Sequence, residues 1–123
     1  MSLAKRVVVL VVEDEFLIRL SAVESIQEAG FEVVEAASAD EAIAILESRL
    51  DISVLFTDIQ MPGSMDGLKL AAAVRNRWPP IKIMATSGQV RLSPGDLPQG
   101  GLFLPKPYNA AVLMNTLEAL MEA

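Results

Sequence analysis

Short unbroken apolar runs alternate along the chain with longer stretches in which apolar residues recur every three or four positions. These are the patterns of strands buried on both faces and of amphipathic helices. Residues 7–12 are wholly apolar and largely β-branched, and Phe16, Leu20, Val23 and Ile26 follow at helical spacing until Gly30 offers a stop. Residues 31–35 predict a second strand. Ser38-Ala39-Asp40-Glu41 has the form of a capping box, with hydroxyl and carboxylate each satisfying a backbone N–H, ahead of Ile43, Leu46 and Leu50. Residues 52–57 predict a third strand, 68–78 a third helix stopped by Pro79-Pro80, 81–86 a fourth strand and 101–104 a short fifth. Asn109 is placed to cap a last helix whose Leu113, Leu117 and Leu120 share one face. Between the last two strands, residues 89–100 carry Pro94, Gly95, Pro98 and Gly100 and leave room for about one helical turn.

Strands alternating with helices through short connections predict a doubly wound, flavodoxin-like α/β fold. The expected form is a (βα)5 three-layer sandwich with a parallel sheet in the order 2-1-3-4-5 and a short or irregular fourth helix. The 123 residues, 52% of them hydrophobic, read as a single domain with its core over about residues 5–122 and no output domain in this chain. A chain of this size buries roughly 65–70% of its unfolded surface and folds without a disulfide or structural zinc. Cysteine and histidine are both absent from the sequence. That excludes thiol and Ser-His-Asp catalysis and thiolate or imidazole metal sites. The net charge of −6 argues against direct nucleic-acid binding and against an anionic membrane surface. No apolar run approaches the roughly 20 residues that span a bilayer. Lys5-Arg6 ahead of residues 7–12 resembles the start of a signal peptide, but Glu13-Asp14-Glu15 ends the apolar stretch below the minimum of about seven residues. The expected location is cytoplasmic.

In such a sheet ligands collect beyond the carboxyl ends of the strands, at the switch point between the first and third. The first strand ends in Glu13-Asp14-Glu15, the third in Asp58, the fourth in Thr86-Ser87, and the fifth leads to Lys106 between two prolines. Carboxylates gathered within a few ångströms repel one another unless their pKa values rise or a cation joins them. Oxygen-only ligands select a hard divalent ion such as Mg²⁺, Mn²⁺ or Ca²⁺. A hydroxyl and an ammonium beside it add two partners for phosphate oxygens. The turn after the first strand carries three acids where a nucleotide-cradling loop would be rich in glycine, so covalent attachment of phosphoryl to a carboxylate fits better than a bound nucleotide.

Taken singly, each feature has a plain structural reading: helix capping for the acids, a turn for Asp58, loop chemistry for Ser87, a solvated surface position for Lys106 and core packing for Phe103. Taken together they resemble the receiver domain of two-component response regulators, the CheY-like superfamily, over nearly the whole chain. The resemblance rests on Leu10-Val11-Val12-Glu13-Asp14-Glu15, on Thr57-Asp58-Ile59-Gln60-Met61-Pro62 followed by Met65-Asp66-Gly67, on Ala85-Thr86-Ser87-Gly88, and on Phe103-Leu104-Pro105-Lys106-Pro107. It implies that Asp58 takes a phosphoryl group from a histidine kinase or phosphotransfer protein, giving an acyl phosphate that switches a protein-interaction face toward an unknown downstream protein. It implies Mg²⁺, with Mn²⁺ as a substitute, on Asp14 and Asp58, on Glu13 through water and on the Gln60 backbone carbonyl. Ser87 matches the switch hydroxyl if Ser64 is a one-residue insertion, and Thr86 is the competing choice. Phe103 matches the switch aromatic, Lys106 the phosphate-contacting lysine, and the Lys106–Pro107 bond is expected to be cis. Gln60 and Gln89 resemble positions that tune hydrolysis.

The readout surface in similar domains includes a fourth helix, and here Leu92 to Gly101 is too rich in Pro and Gly for a normal one. Pro105 beside the lysine is a second departure. Such a domain catalyses only its own phosphorylation and dephosphorylation, so it is not expected to be an enzyme. Two other readings stand beside it: a degenerate receiver acting as a phosphorylation-independent binding module, and an aspartyl-phosphate phosphatase. The second is weakened because its Asp-x-Asp pattern meets Gln60 at the third position.

Overall fold

The computed structural model describes residues 7–63, 65–89, 92–93 and 95–122. Lys5, Arg6, Ser64 and Pro94 lie outside the described residues, and with them the signal-like start and the proposed insertion. Nine elements follow in chain order among the described residues: β1 (Val8–Val12), α1 (Phe16–Glu28), β2 (Glu32–Ala36), α2 (Ala39–Ser48), β3 (Val54–Asp58), α3 (Gly67–Arg77), β4 (Lys82–Ser87), β5 (Leu102–Pro105) and α4 (Ala110–Glu122). The five strands form one parallel sheet in the order β2-β1-β3-β4-β5. This is the expected flavodoxin-like order, with four helices among the described residues where (βα)5 has five.

The period of two along each strand divides the core into two layers. Leu10, Leu55 and Ile83 pack with Leu46 of α2 and Leu70 and Val74 of α3. Val9, Val11, Phe56 and Met84 pack on the other face with Val23 and Ile26 of α1 and Leu113 and Leu117 of α4. β1, β3 and β4 are covered on both sides, which is why their sequences are apolar without alternation.

Strand bounds shift by one or two residues from the sequence expectation, and the shift matters most in β4, which extends to Ser87. The Ser38 hydroxyl accepts the Glu41 N–H at 3.1 Å, while the Glu41 carboxylate takes the N–H of Ala37, one residue earlier than a strict capping box. Asn109 caps α4 through the Val112 N–H at 2.8 Å, and Asp66 caps α3 through the Lys69 N–H at 2.9 Å.

Two expectations about helix faces are corrected. Phe16 is 61% exposed and Leu20 38%, because the first turns of α1 start at the rim of the sheet and only Ala22, Val23 and Ile26 are buried. Leu50 is 97% exposed, because the chain turns extended at Arg49 and α2 ends at Ser48. The short or irregular fourth helix expected within residues 89–100 takes the irregular form: the described residues there make no regular helix. Gly95 and Gly100 sit at φ 97° and 83°, outside the right-handed helical region, and Ser93, Asp96, Pro98 and Gly101 close turns among themselves. Arg75 of α3 anchors this segment, donating to the carbonyls of Pro79 and Ile81 at 2.7 and 3.2 Å and of Gln99 at 3.1 Å. Among the described residues, no helix is long and apolar enough to cross a membrane.

Candidate functional site

Because every strand points the same way, β1, β3, β4 and β5 deliver their last residues to one edge of the sheet. Glu13 follows β1, Asp58 ends β3, Thr86 and Ser87 end β4, and Lys106 follows β5. One carboxylate oxygen from each of Glu13, Asp14 and Asp58 lies within 4.8 Å of the other two. Lys106 Nζ sits 3.0 Å from Glu13 Oε1 and 3.4 Å from Asp58 Oδ1, a contact between positions 93 apart in the chain. The Lys106–Pro107 bond is cis, as expected.

Several main-chain contacts hold these groups in place. Arg19 Nη1 donates to the Glu13 carbonyl at 2.7 Å while its Nε pairs with Glu35 at 3.1 Å, fixing the acid-bearing turn from α1. The Glu13 N–H donates to Ala36 of β2. Gly67 opens α3 hard against β3: a Cβ there would fall 2.0 Å from the Asp58 carbonyl oxygen, so only glycine lets the helix approach. Lys106 N–H donates to the Ser87 carbonyl at 3.0 Å, tying the lysine turn to β4.

Asp58 is 7% exposed and Glu13 4%. Burial raises the carboxyl pKa of both; Lys106 opposes the rise, and neighbouring carboxylates add to it. Burial pulls the Lys106 ammonium down, but Glu13 and Asp58 outweigh it and leave the pKa raised. Three carboxylates against one ammonium leave an excess of negative charge. With no nitrogen or sulfur ligand in reach, the donor set fits a hard divalent cation.

The two candidate hydroxyls face opposite ways. Ile83 of β4 packs toward α2 and α3 and Met84 toward α1 and α4, so alternation sends Ser87 to the first side and Thr86 to the second. On β5, Leu104 faces α1 and α4, which leaves Phe103 on the Ser87 side. Ser87, Phe103 and Lys106 accordingly line one recess, with Gly88, Leu92 and Pro105. Thr86 lines a separate narrow cavity with Glu13, Asp58 and Tyr108. Gln60 lies in the exposed loop after β3, and Gln89 donates its N–H to Ser87 Oγ at 3.1 Å.

Arg19, Gly67 as a close-approach glycine, and Tyr108 are parts of the site that sequence reasoning did not assign. Gly67 stood in a quoted motif; the other two carried no local pattern beyond their distance from Asp14 and Lys106.

The model of the family described as the response regulator receiver domain matches residues 9–118. The chain is 37% identical over 120 residues to the sensor kinase CckA of Brucella abortus, covering 93% of this chain and 12% of that protein. It therefore spans a small part of that relative's length. Among solved structures, a response regulator receiver protein from Sinorhizobium medicae aligns with a TM-score of 0.87 at 30% identity, covering 97% of each chain. The response regulator TrrA from Thermotoga maritima, solved with Mg²⁺ and BeF, aligns with a TM-score of 0.80 at 28% identity, covering 93% of this chain and 98% of that one.

Proposed function

Because the chain belongs to the response regulator receiver domain family, we propose that Asp58 accepts a phosphoryl group from the phosphohistidine of a histidine kinase or phosphotransfer protein. The observation that carries this reading is the meeting of Glu13, Asp14 and Asp58 within 4.8 Å, with Lys106 Nζ bridging two of them. A carboxylate oxygen of Asp58 bonds to phosphorus as the phosphorus–nitrogen bond breaks, and the imidazole leaves with the electron pair and takes up a proton. Glu13, Asp14 and Asp58, with the Gln60 carbonyl, would hold Mg²⁺, or Mn²⁺ in its place, which when bound offsets charge on the transferred oxygens.

Lys106 keeps its proton beside the acids and supplies an ammonium to a phosphoryl oxygen. Ser87 supplies a hydroxyl at the same rim, and its shared recess with Phe103 links the phosphoryl group to the face built from β5, α4 and the irregular segment. That face would meet the downstream protein. Beside the mouth, Leu17 and Ile18 of α1 line a groove with Lys106, Pro107 and Tyr108, and Phe16 and Leu17 are exposed. This apolar rim supplies a docking surface for the protein that carries the phosphohistidine. Turnover is confined to the chain's own acyl phosphate, and Gln60 in place of a second acid two residues beyond Asp58 weighs against turnover of an outside substrate.

The test is intact-mass analysis after incubation with a small phosphodonor, with and without Mg²⁺, on the wild type and Asp58→Asn. The expected result is one phosphoryl adduct that needs both the metal and Asp58. An adduct that survives in Asp58→Asn, or none in any sample, overturns the reading.

A further inference from the structure

Thr86 lies opposite Asp58 in the β3–β4 register and is 2% exposed. Its Oγ1 is buried with no hydrogen-bond partner, one of two such side-chain atoms among the described residues, the other being Arg75 Nε. Leaving a buried hydroxyl unpaired costs about 1–3 kcal/mol, and native proteins satisfy such groups with ordered water where space and partners allow. Both are present here. The narrow cavity that Thr86 lines has room for about one water molecule. Its polar wall is Glu13, Asp58, Thr86 and Tyr108, and Ile18 and Phe56 contribute to the apolar wall.

We propose that this cavity is a built site for one ordered water, held by Thr86 Oγ1 and by the Glu13 and Asp58 carboxylates, and that Thr86 is thereby a positioning residue for Asp58. The donors and acceptors close. Ionised carboxylates only accept, so the water gives its hydrogens to them and receives the Thr86 hydroxyl hydrogen. Tyr108 lines the same cavity, its ring 6.0 Å from that of Phe56. Its phenol stands near enough to Glu13 and Asp58 that burial, reinforced by their charges, pushes its pKa up to about 12, so it remains a neutral donor.

This water lies apart from the recess shared by Ser87, Phe103 and Lys106. It grips the Asp58 carboxylate independently of the switch residues. Resting on the reading of Asp58 as phosphoacceptor, it has a consequence for the lifetime of the acyl phosphate. In hydrolysis a solvent water's oxygen bonds to phosphorus, its proton passes to solvent, and the phosphorus–oxygen bond to Asp58 breaks. The carboxylate that leaves is stabilised by the hydrogen bond from the cavity water, so the water hastens the loss.

Two measurements test this. A high-resolution crystal structure of the unphosphorylated wild type and of Thr86→Val and Thr86→Ser needs no phosphorylation. Expected is one ordered water within hydrogen-bond distance of Oγ1 in the wild type and Thr86→Ser and none in Thr86→Val. A wild-type Oγ1 bonded straight to a protein oxygen, an empty cavity, or a water unmoved in Thr86→Val overturns the site. Acyl-phosphate decay, followed by intact mass, is expected to slow about three- to tenfold in Thr86→Val and to return within about twofold of wild type in Thr86→Ser. Equal decay in all three overturns the positioning role even with the water in place.

Discussion

Asp58 and Glu13 are buried acids that share one lysine, and their protonation is coupled to folding. A carboxyl whose pKa is higher in the folded chain than in the unfolded one binds its proton more tightly when folded. Its contribution to stability is therefore fully present below the unfolded pKa and is lost as pH rises through the folded one. Burial raises both carboxyls, so both follow this sign. Without divalent cations, Asp58→Asn is expected to be more stable than the wild type by about 1 kcal/mol at neutral pH and to melt at a higher temperature, because one like charge is removed from beside Glu13 and Asp14. The gain shrinks as pH falls through the raised pKa of the folded Asp58 carboxyl and is gone below the unfolded one, where the group is protonated in both states. Excess Mg²⁺ is expected to reverse the order by stabilising the wild type more. Thermal melts across pH, with and without the metal, check this; a difference between the two proteins that ignores pH would sink it.

Among the elements, the strands and the last helix were legible from pattern, because a fully apolar run bounded by polar turns leaves little choice of burial. α1 and α2 were less so. Spacing aligned Phe16, Leu20 and Leu50 with the buried faces, but spacing carries no information on how far a helix overlaps the sheet, and these residues fall beyond its cover. Residues 89–100 were marked by Pro and Gly as a poor helix, and the described residues there are irregular, with positive φ at Gly95 and Gly100. The entry of α3 is the element most exposed to a single atom. Gly67→Ala places a methyl group 2.0 Å from the Asp58 carbonyl oxygen, so β3 and α3 must part. The expected loss is about 3 kcal/mol in denaturant unfolding, at the upper end of the ordinary range for overpacking because the obstacle is backbone. A loss under about 0.5 kcal/mol would mean that α3 can shift without strain.

For the molecule as a whole, the convergence of Glu13, Asp14, Asp58 and Lys106 followed from strand order alone, since parallel strands end on one edge. The assignment of Ser87 over Thr86 to the recess of Phe103 did not, because it depends on β4 reaching Ser87 and on the register of β5. Arg19 and Tyr108 act across tertiary contacts that no local spacing encodes. On the proposed function, the surface beside the site is expected to separate two kinds of phosphodonor. Leu17→Asp is expected to slow phosphorylation by a protein phosphohistidine about tenfold while leaving a small phosphodonor within about twofold, since Leu17 lines the rim groove and not the cavity or recess that the acids and Ser87 line. Equal slowing with both donors would place the defect in the site itself. Finally, the ion pair between Lys106 and Glu13 joins segments 93 positions apart. During synthesis the acid turn is made early, and its lysine follows only after all five strands have been made. A nascent or truncated chain that stops short of Lys106 carries the acids without their counter-ion, so the charge balance of the sheet edge is set by one of the last turns to be made.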